Sequence, residues 1–203
     1  FRSEEGQSEP SMTISVTTLG LFEIVNGEFE NFTVSDNGWQ RLADGWQSYS
    51  TSSDILYNVE LHGSAIYNSA TETFDGLNQT NGLKMWNNCT EGNCENYPTN
   101  AEHFVFQERS NIMLPGTQFS ISAMVWQHPE DALQDDAKFE LVVKYFGLGE
   151  GGSVENPGEW WNNLIGMERS LPFTNQDTFE AWTIRSLDCY VPYGTFRVEY
   201  GLF

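Results

Sequence analysis

Apolar residues recur at every second position through much of the chain. Ile55, Tyr57, Val59 and Leu61 alternate with polar or smaller residues, as do Phe119, Ile121, Ala123 and Val125 after the turn signal Pro115-Gly116. Phe139, Leu141, Val143 and Tyr145 repeat the pattern, and Phe196, Val198, Tyr200 and Leu202 do so after Pro192-Tyr193-Gly194-Thr195. A period of two puts successive side chains on opposite faces of an extended chain, so each run predicts a strand with one apolar face. The i, i+3, i+4, i+7 spacing of a capped amphipathic helix is not found. Short strands divided by Gly, Pro, Asn and Asp loops predict an all-β fold, an antiparallel β-sandwich with one face of each strand packed inward and the other meeting water. Met12, Ile14 and Val16 alternate as a further short strand after the polar residues 1–11. Two long loops interrupt the pattern, 87–102 and 147–163, and loops of that length are uncommon unless they carry function.

Charge narrows the class. The 203 residues carry 29 acidic and 9 basic side chains, a formal net charge of −20. A chain this acidic does not track a phosphate backbone and is repelled by an anionic membrane surface, so neither nucleic acid nor membrane is expected as a partner. No apolar run approaches the ~18 residues that would mark a membrane-spanning helix. Aromatics at 14% and hydrophobics at 39% supply a core and argue against disorder. The length suits one large all-β domain. The chain does not begin with Met and has no charged segment leading into an apolar one, so the expectation is a removed leader or a fragment.

Cys89 and Cys94 flank the polar stretch Thr90-Glu91-Gly92-Asn93, flexible enough for a local disulfide, although two free thiols fit the spacing as well. Cys189 alternates with Leu187 and Val191 and reads as a small buried hydrophobe. The three His are scattered and Cys-x4-Cys has no second pair, so a cysteine-bound metal is not expected.

Several motifs together resemble a family. Asn26-Gly27-Glu28-Phe29-Glu30, followed by Gly38-Trp39 or Gly45-Trp46, looks like the opening of jelly-roll carbohydrate-binding modules, the galactose-binding-like β-sandwiches. Gly82-Leu83-Lys84-Met85, Val105-Phe106-Gln107, Pro115 to Ala123, Trp182 and Val191 to Val198 are similar to later strands and turns of that family, in the same order across residues 20–203. The resemblance implies a jelly-roll domain over 20–203, preceded by an extension over 1–19. It departs in two ways: the chain stops at Leu202-Phe203, one strand short, and the extension supplies an additional strand. A sandwich lacking a strand exposes an edge. Met12, Ile14 and Val16 are therefore expected to act as a donor strand, within the chain or in a neighbouring copy.

The resemblance also implies a structural calcium ion with Glu30 as a ligand, and Asp36 and Asp75 lie in loops that can contribute; each carboxylate read alone is equally a solvated surface group. Sugar recognition calls for flat aromatic platforms. Trp126 falls opposite the core set of its strand, with Met124, Ser122 and Gln127, and is either a platform or covered by a loop. Trp86 has outward parity beside Asn87 and Asn88, and adjacent Trp160 and Trp161 cannot both point inward. Trp182 and Trp39 read as core anchors. No G-x-S-x-G, HExxH or phosphate loop is present, and no carboxylate pair is selected by spacing, so the chain is expected not to be an enzyme.

The leading expectation is a secreted, extracellular or cell-surface, non-catalytic module stabilised by calcium and contacting glycans through Trp126, Trp86, Trp160 and Trp161. The alternative is a structural subunit of an extracellular filament, tubule or surface layer, with copies of the chain joined by exchange of the N-terminal strand.

Overall fold

A computed structural model describes residues 15–17, 24–27, 29–36, 41–51, 55–63, 66–68, 73–75, 79–87, 102–110, 115–127, 133, 136–177 and 182–203. Sixteen strands run through them: β1 Ser15–Thr17, β2 Phe32–Val34, β3 Arg41–Ala43, β4 Gln47–Ser50, β5 Ile55–Gly63, β6 Ile66–Asn68, β7 Thr73–Asp75, β8 Gln79–Asn87, β9 His103–Ser110, β10 Gln118–Val125, β11 Lys138–Phe139, β12 Leu141–Phe146, β13 Leu164–Arg169, β14 Phe173–Thr174, β15 Thr183–Tyr190 and β16 Arg197–Leu202. Every pairing is antiparallel. No helix among the described residues is long and apolar enough to cross a membrane.

The core lies between a five-stranded sheet, β13-β12-β16-β9-β4, and a three-stranded sheet, β1-β10-β15. Alternation places Leu141, Val143 and Tyr145 of β12 and Val198, Tyr200 and Leu202 of β16 on one side of the core. Phe119, Ile121 and Ala123 of β10 and Cys189 of β15 face them. The all-β antiparallel sandwich and the parity of these strands follow the sequence reading. Each Val, Leu, Ile or Phe among them contributes about 1.5–3 kcal/mol on removal from water.

The expectation that every strand has a wet face is corrected. In β12 and β16 every residue but one is buried, and in β9 the first five are, because these are the inner strands of the larger sheet. Phe104 and Val142, on the face away from the core, are 1% and 0% exposed. β16 lies between β12 and β9, so the C-terminal strand is central rather than followed by an open edge. Gly201 makes this possible. A Cβ there would overlap the Val105 carbonyl oxygen and lie 2.7 Å from Phe106 Cα on β9, so only glycine lets the two strands close.

The segment Asn26 to Asn31 is tied to the core by side chains of the recognised motifs. The Asn26 amide donates to the carbonyls of Asn31 (2.6 Å) and Asp44 (3.1 Å), and its oxygen accepts the Asn31 N–H. Asn26 and Phe29 have positive φ, +53° and +56°. That costly conformation is held by this network and by Phe29, which packs 5.3 Å from the Trp46 ring. Trp46 Nε1 donates to the Asn26 carbonyl, so Gly45-Trp46 is the pair that meets this turn. Buried Gln107 exchanges hydrogen bonds with the Val25 backbone and accepts one from the Tyr200 hydroxyl. A carboxamide in a core is tolerated when its donors and acceptors are paired in this way.

Candidate functional site

The outer face of the five-stranded sheet carries the unusual chemistry. Register sets Glu199 of β16 between Glu108 of β9 and Lys144 of β12, and Gly201 between Phe106 and Val142. Like charges directly opposite across a ladder are destabilising. Arg197, two positions along β16 on the same face, resolves the conflict. Its Nη2 pairs with Glu108 and with Glu199 (3.0 Å), and its Nε donates to Glu199 Oε1 at 3.2 Å. Burial raises the Glu199 carboxyl above the ordinary carboxylate range, against the opposing pull of Arg197 and Lys144. Burial likewise lowers Arg197, opposed by Glu199.

Lys144 is held differently. Its Nζ lies 4.2 Å from the Phe104 ring centroid and 5.9 Å from that of Phe203. Burial lowers its pKa; Glu199 and Glu102 pull it back up, and Arg169 adds to the lowering. Arg169 stacks on Phe203 at 4.5 Å and pairs with Glu140 at 2.7 Å, and Lys138 reaches the same carboxylate at 3.2 Å. Sequence reasoning missed this face. The available signal was charge at alternate positions (144, 197, 199) inside strands otherwise rich in apolar residues.

One end of the face is closed by the loop 147–163. Gly149 N–H donates to the Pro157 carbonyl, Gly152 N–H to Gly149, Ser153 N–H to Asn156 and Gly147 N–H to Asn163. Asn163 Nδ2 donates to the Leu148 carbonyl, and Asn162 Nδ2 to Glu159 Oε2. At Gly149 and Gly152 a Cβ would collide with the backbone of Glu159 and Pro157, so the loop folds flat on itself. A 3-10 turn, Trp160–Asn162, sits at its end. Trp160 covers the Arg197 guanidinium at 3.8 Å and meets Phe146 edge-on at 5.3 Å. Trp161 meets Trp160 edge-on at 5.8 Å and remains 57% exposed. The loop therefore presents one open indole beside a cation-backed one.

The other expected residues lie elsewhere. Trp126 is half-buried just beyond β10 and packs 5.9 Å from Trp182, just before β15, so Trp182 is not a member of the core cluster. Gln127 is buried rather than outward; the strand has ended at Val125, and its amide donates to the carbonyls of Thr174 and Asp177. Trp86 is in β8, opposite Leu56, and Asp75 ends β7; their side chains lie outside the described residues. Met12, Ile14, Trp39, Cys89 and Cys94 also lie outside them. Cys189 is a free buried thiol whose pKa burial pushes well up, as expected of an inert one. Glu30 and Asp36 are exposed, and among the described residues no three His, Cys, Asp or Glu are grouped to hold a metal.

No family model matches the chain, and no curated protein matches it. Among solved structures it is similar to the enzymatically active domain of tailspike protein 4 of bacteriophage CBA120, at 16% identity and a TM-score of 0.43. The match covers 90% of this chain and 19% of that one. The expectation that the chain is not an enzyme is corrected here: the similar domain is described as enzymatically active, so a lack of short catalytic motifs does not stand for a lack of catalysis. At this degree of likeness no residue role passes from one to the other.

Proposed function

We propose that this chain is an extracellular glycan-binding β-sandwich whose contact surface is the Trp160–Trp161 end of the five-stranded sheet. The carrying observation is Trp161, 57% exposed on a loop locked by its own backbone and asparagine hydrogen bonds. An indole held rigid in water offers a flat apolar plane to a pyranose ring, and its pre-organisation spares the ordering entropy a mobile side chain loses on binding. Trp160, backed by Arg197, gives a second aromatic surface at the same end. Trp126 is set against Trp182 on the other sheet and is not needed for this contact.

Affinity electrophoresis against a panel of plant, algal and bacterial polysaccharides tests the reading. Trp161→Ala is expected to abolish retardation by the bound polysaccharide, a loss of at least ten-fold, with an unchanged melting temperature. Retention of full binding in that variant, or no binding by the native chain, would sink the proposal.

A further inference from the structure

The two edge strands of the five-stranded sheet are unlike. β4 is short, and polar apart from Tyr49. β13 exposes Leu164, Ile165 and Met167 and contains neither Lys nor Pro. Its backbone is open as well. Ser170 N–H donates to the Leu141 carbonyl on the β12 side, and antiparallel pairing alternates, so Met167 and Arg169 turn their N–H and C=O away from β12. Among the described residues no strand pairs with that side. The register shift opposite Tyr145 and Phe146 disturbs only the first residues of β13, and Gly166 to Arg169 pair regularly. Aromatic surface continues round the edge: exposed Tyr190 donates its N–H to Glu168 (3.4 Å), and Pro192, next to exposed Tyr193, lies 3.4 Å from where a Gly166 Cβ would be. An apolar edge of this kind is a template for another strand.

We propose that β13 is a dimer interface, pairing antiparallel with β13 of a second copy of this chain about a two-fold axis near Gly166 and Met167. Charge favours a copy over a foreign strand. The loop leading into β13 holds exposed Glu150, Glu155 and Glu159. The far end holds exposed Arg169 and Lys138, which share the single carboxylate of Glu140 and leave a positive surplus. A two-fold axis sets the acidic lead-in of each copy toward the basic end of the other, and does so twice. The same symmetry brings the exposed Ile165 and Met167 side chains of the two strands together, a cross-strand apolar contact that neither copy makes alone. Each copy carries a charge of −20, but at physiological salt distant charges are screened over ~8 Å, so those at the contact decide. The inference rests on β13 and not on the tryptophans, so it stands or falls separately from the glycan reading.

Sedimentation velocity of the full chain at physiological salt, from about 1 to about 200 µM, tests the interface. The mass is expected to move from the 23.1 kDa monomer toward twice that value as concentration rises. Met167→Glu places a carboxylate beside the axis in both copies and should weaken the dimer at least ten-fold, with the melting temperature of the dilute monomer unchanged. Tyr49→Glu, on the opposite edge strand, should leave the dimer as it is. Hydrogen exchange gives a readout that needs no variant: the Met167 and Arg169 amides should exchange more slowly in the concentrated sample than in the dilute one. A monomer throughout the range overturns the proposal, as does a dimer that Met167→Glu leaves intact. Protection of those two amides in a chain that sediments as a monomer would assign the edge to another segment of the same chain, and overturns it too.

Discussion

Glu199 shows how far a residue's behaviour depends on its neighbours. In sequence it is one acid among 29, alternating with Val198 and Tyr200. In the fold it is 7% exposed, beside Glu108, and made tolerable by Arg197. Burial raises its pKa, so the folded chain binds this proton more tightly than the unfolded one. The contribution to stability is then fully present below the unfolded value of about 4.3 and is lost as pH rises through the folded value. Glu199→Gln removes the titration. The melting temperature of the native chain minus that of the variant should therefore increase as pH falls from 8 to 4, and a constant difference would refute the assignment. Asp177 has the opposite sign: burial raises it, but Thr174 and Arg185 donate to it and hold it below its ordinary value, so its contribution is lost on acidification. Neither environment was readable from sequence, because cross-strand register puts residues about 90 positions apart side by side, as with Glu108 and Glu199.

At the scale of elements, β1 is the informative strand. Ser15, Val16 and Thr17 pair with Ser122, Ile121 and Ser120 of β10, in the chain's own sheet. The N-terminal segment was expected to pair as a strand from its alternation, and that part was legible. Its partner was not, since a period of two states which face is apolar but not which edge it meets. Deleting residues 1–19 frees the edge of β10. With each ladder hydrogen bond worth about 1 kcal/mol net, the loss should be about 1–3 kcal/mol. At roughly 2–4 °C per kcal/mol for a chain of this size, a lower melting temperature is readily measured by scanning fluorimetry. A synthetic peptide of residues 10–19 added in trans should restore it. Restoration by the peptide would also bring strand exchange between copies within reach, whereas an unchanged melting temperature on deletion would show that β1 contributes nothing.

For the molecule as a whole, the net charge of −20 acquires a location in the fold. Three of nine cations, Lys144, Arg169 and Arg197, lie on the outer face of the five-stranded sheet and Lys138 joins them from β11 through Glu140, which leaves the remaining surface more acidic than the average suggests. Self-repulsion destabilises the compact state and is screened by salt. Raising sodium chloride from 10 to 500 mM should raise the melting temperature by several degrees, checked by calorimetry. A fall would mean that the ion pairs of Glu140 and Arg197 outweigh the repulsion.

Alternation alone determined that the chain is all-β and which faces of β10, β12 and β16 form the core. These are local properties: a side chain's face is set by the pleat, whatever strand comes next to it. The order of the sheet, the central place of β16, the dry outer face under Phe104 and Val142, and the juxtaposition of Glu199 with Glu108 and Lys144 and of Arg197 with Trp160 were decided by tertiary structure. Antiparallel register joins strands distant in sequence, and burial follows from what the second face meets, which no period in the chain encodes.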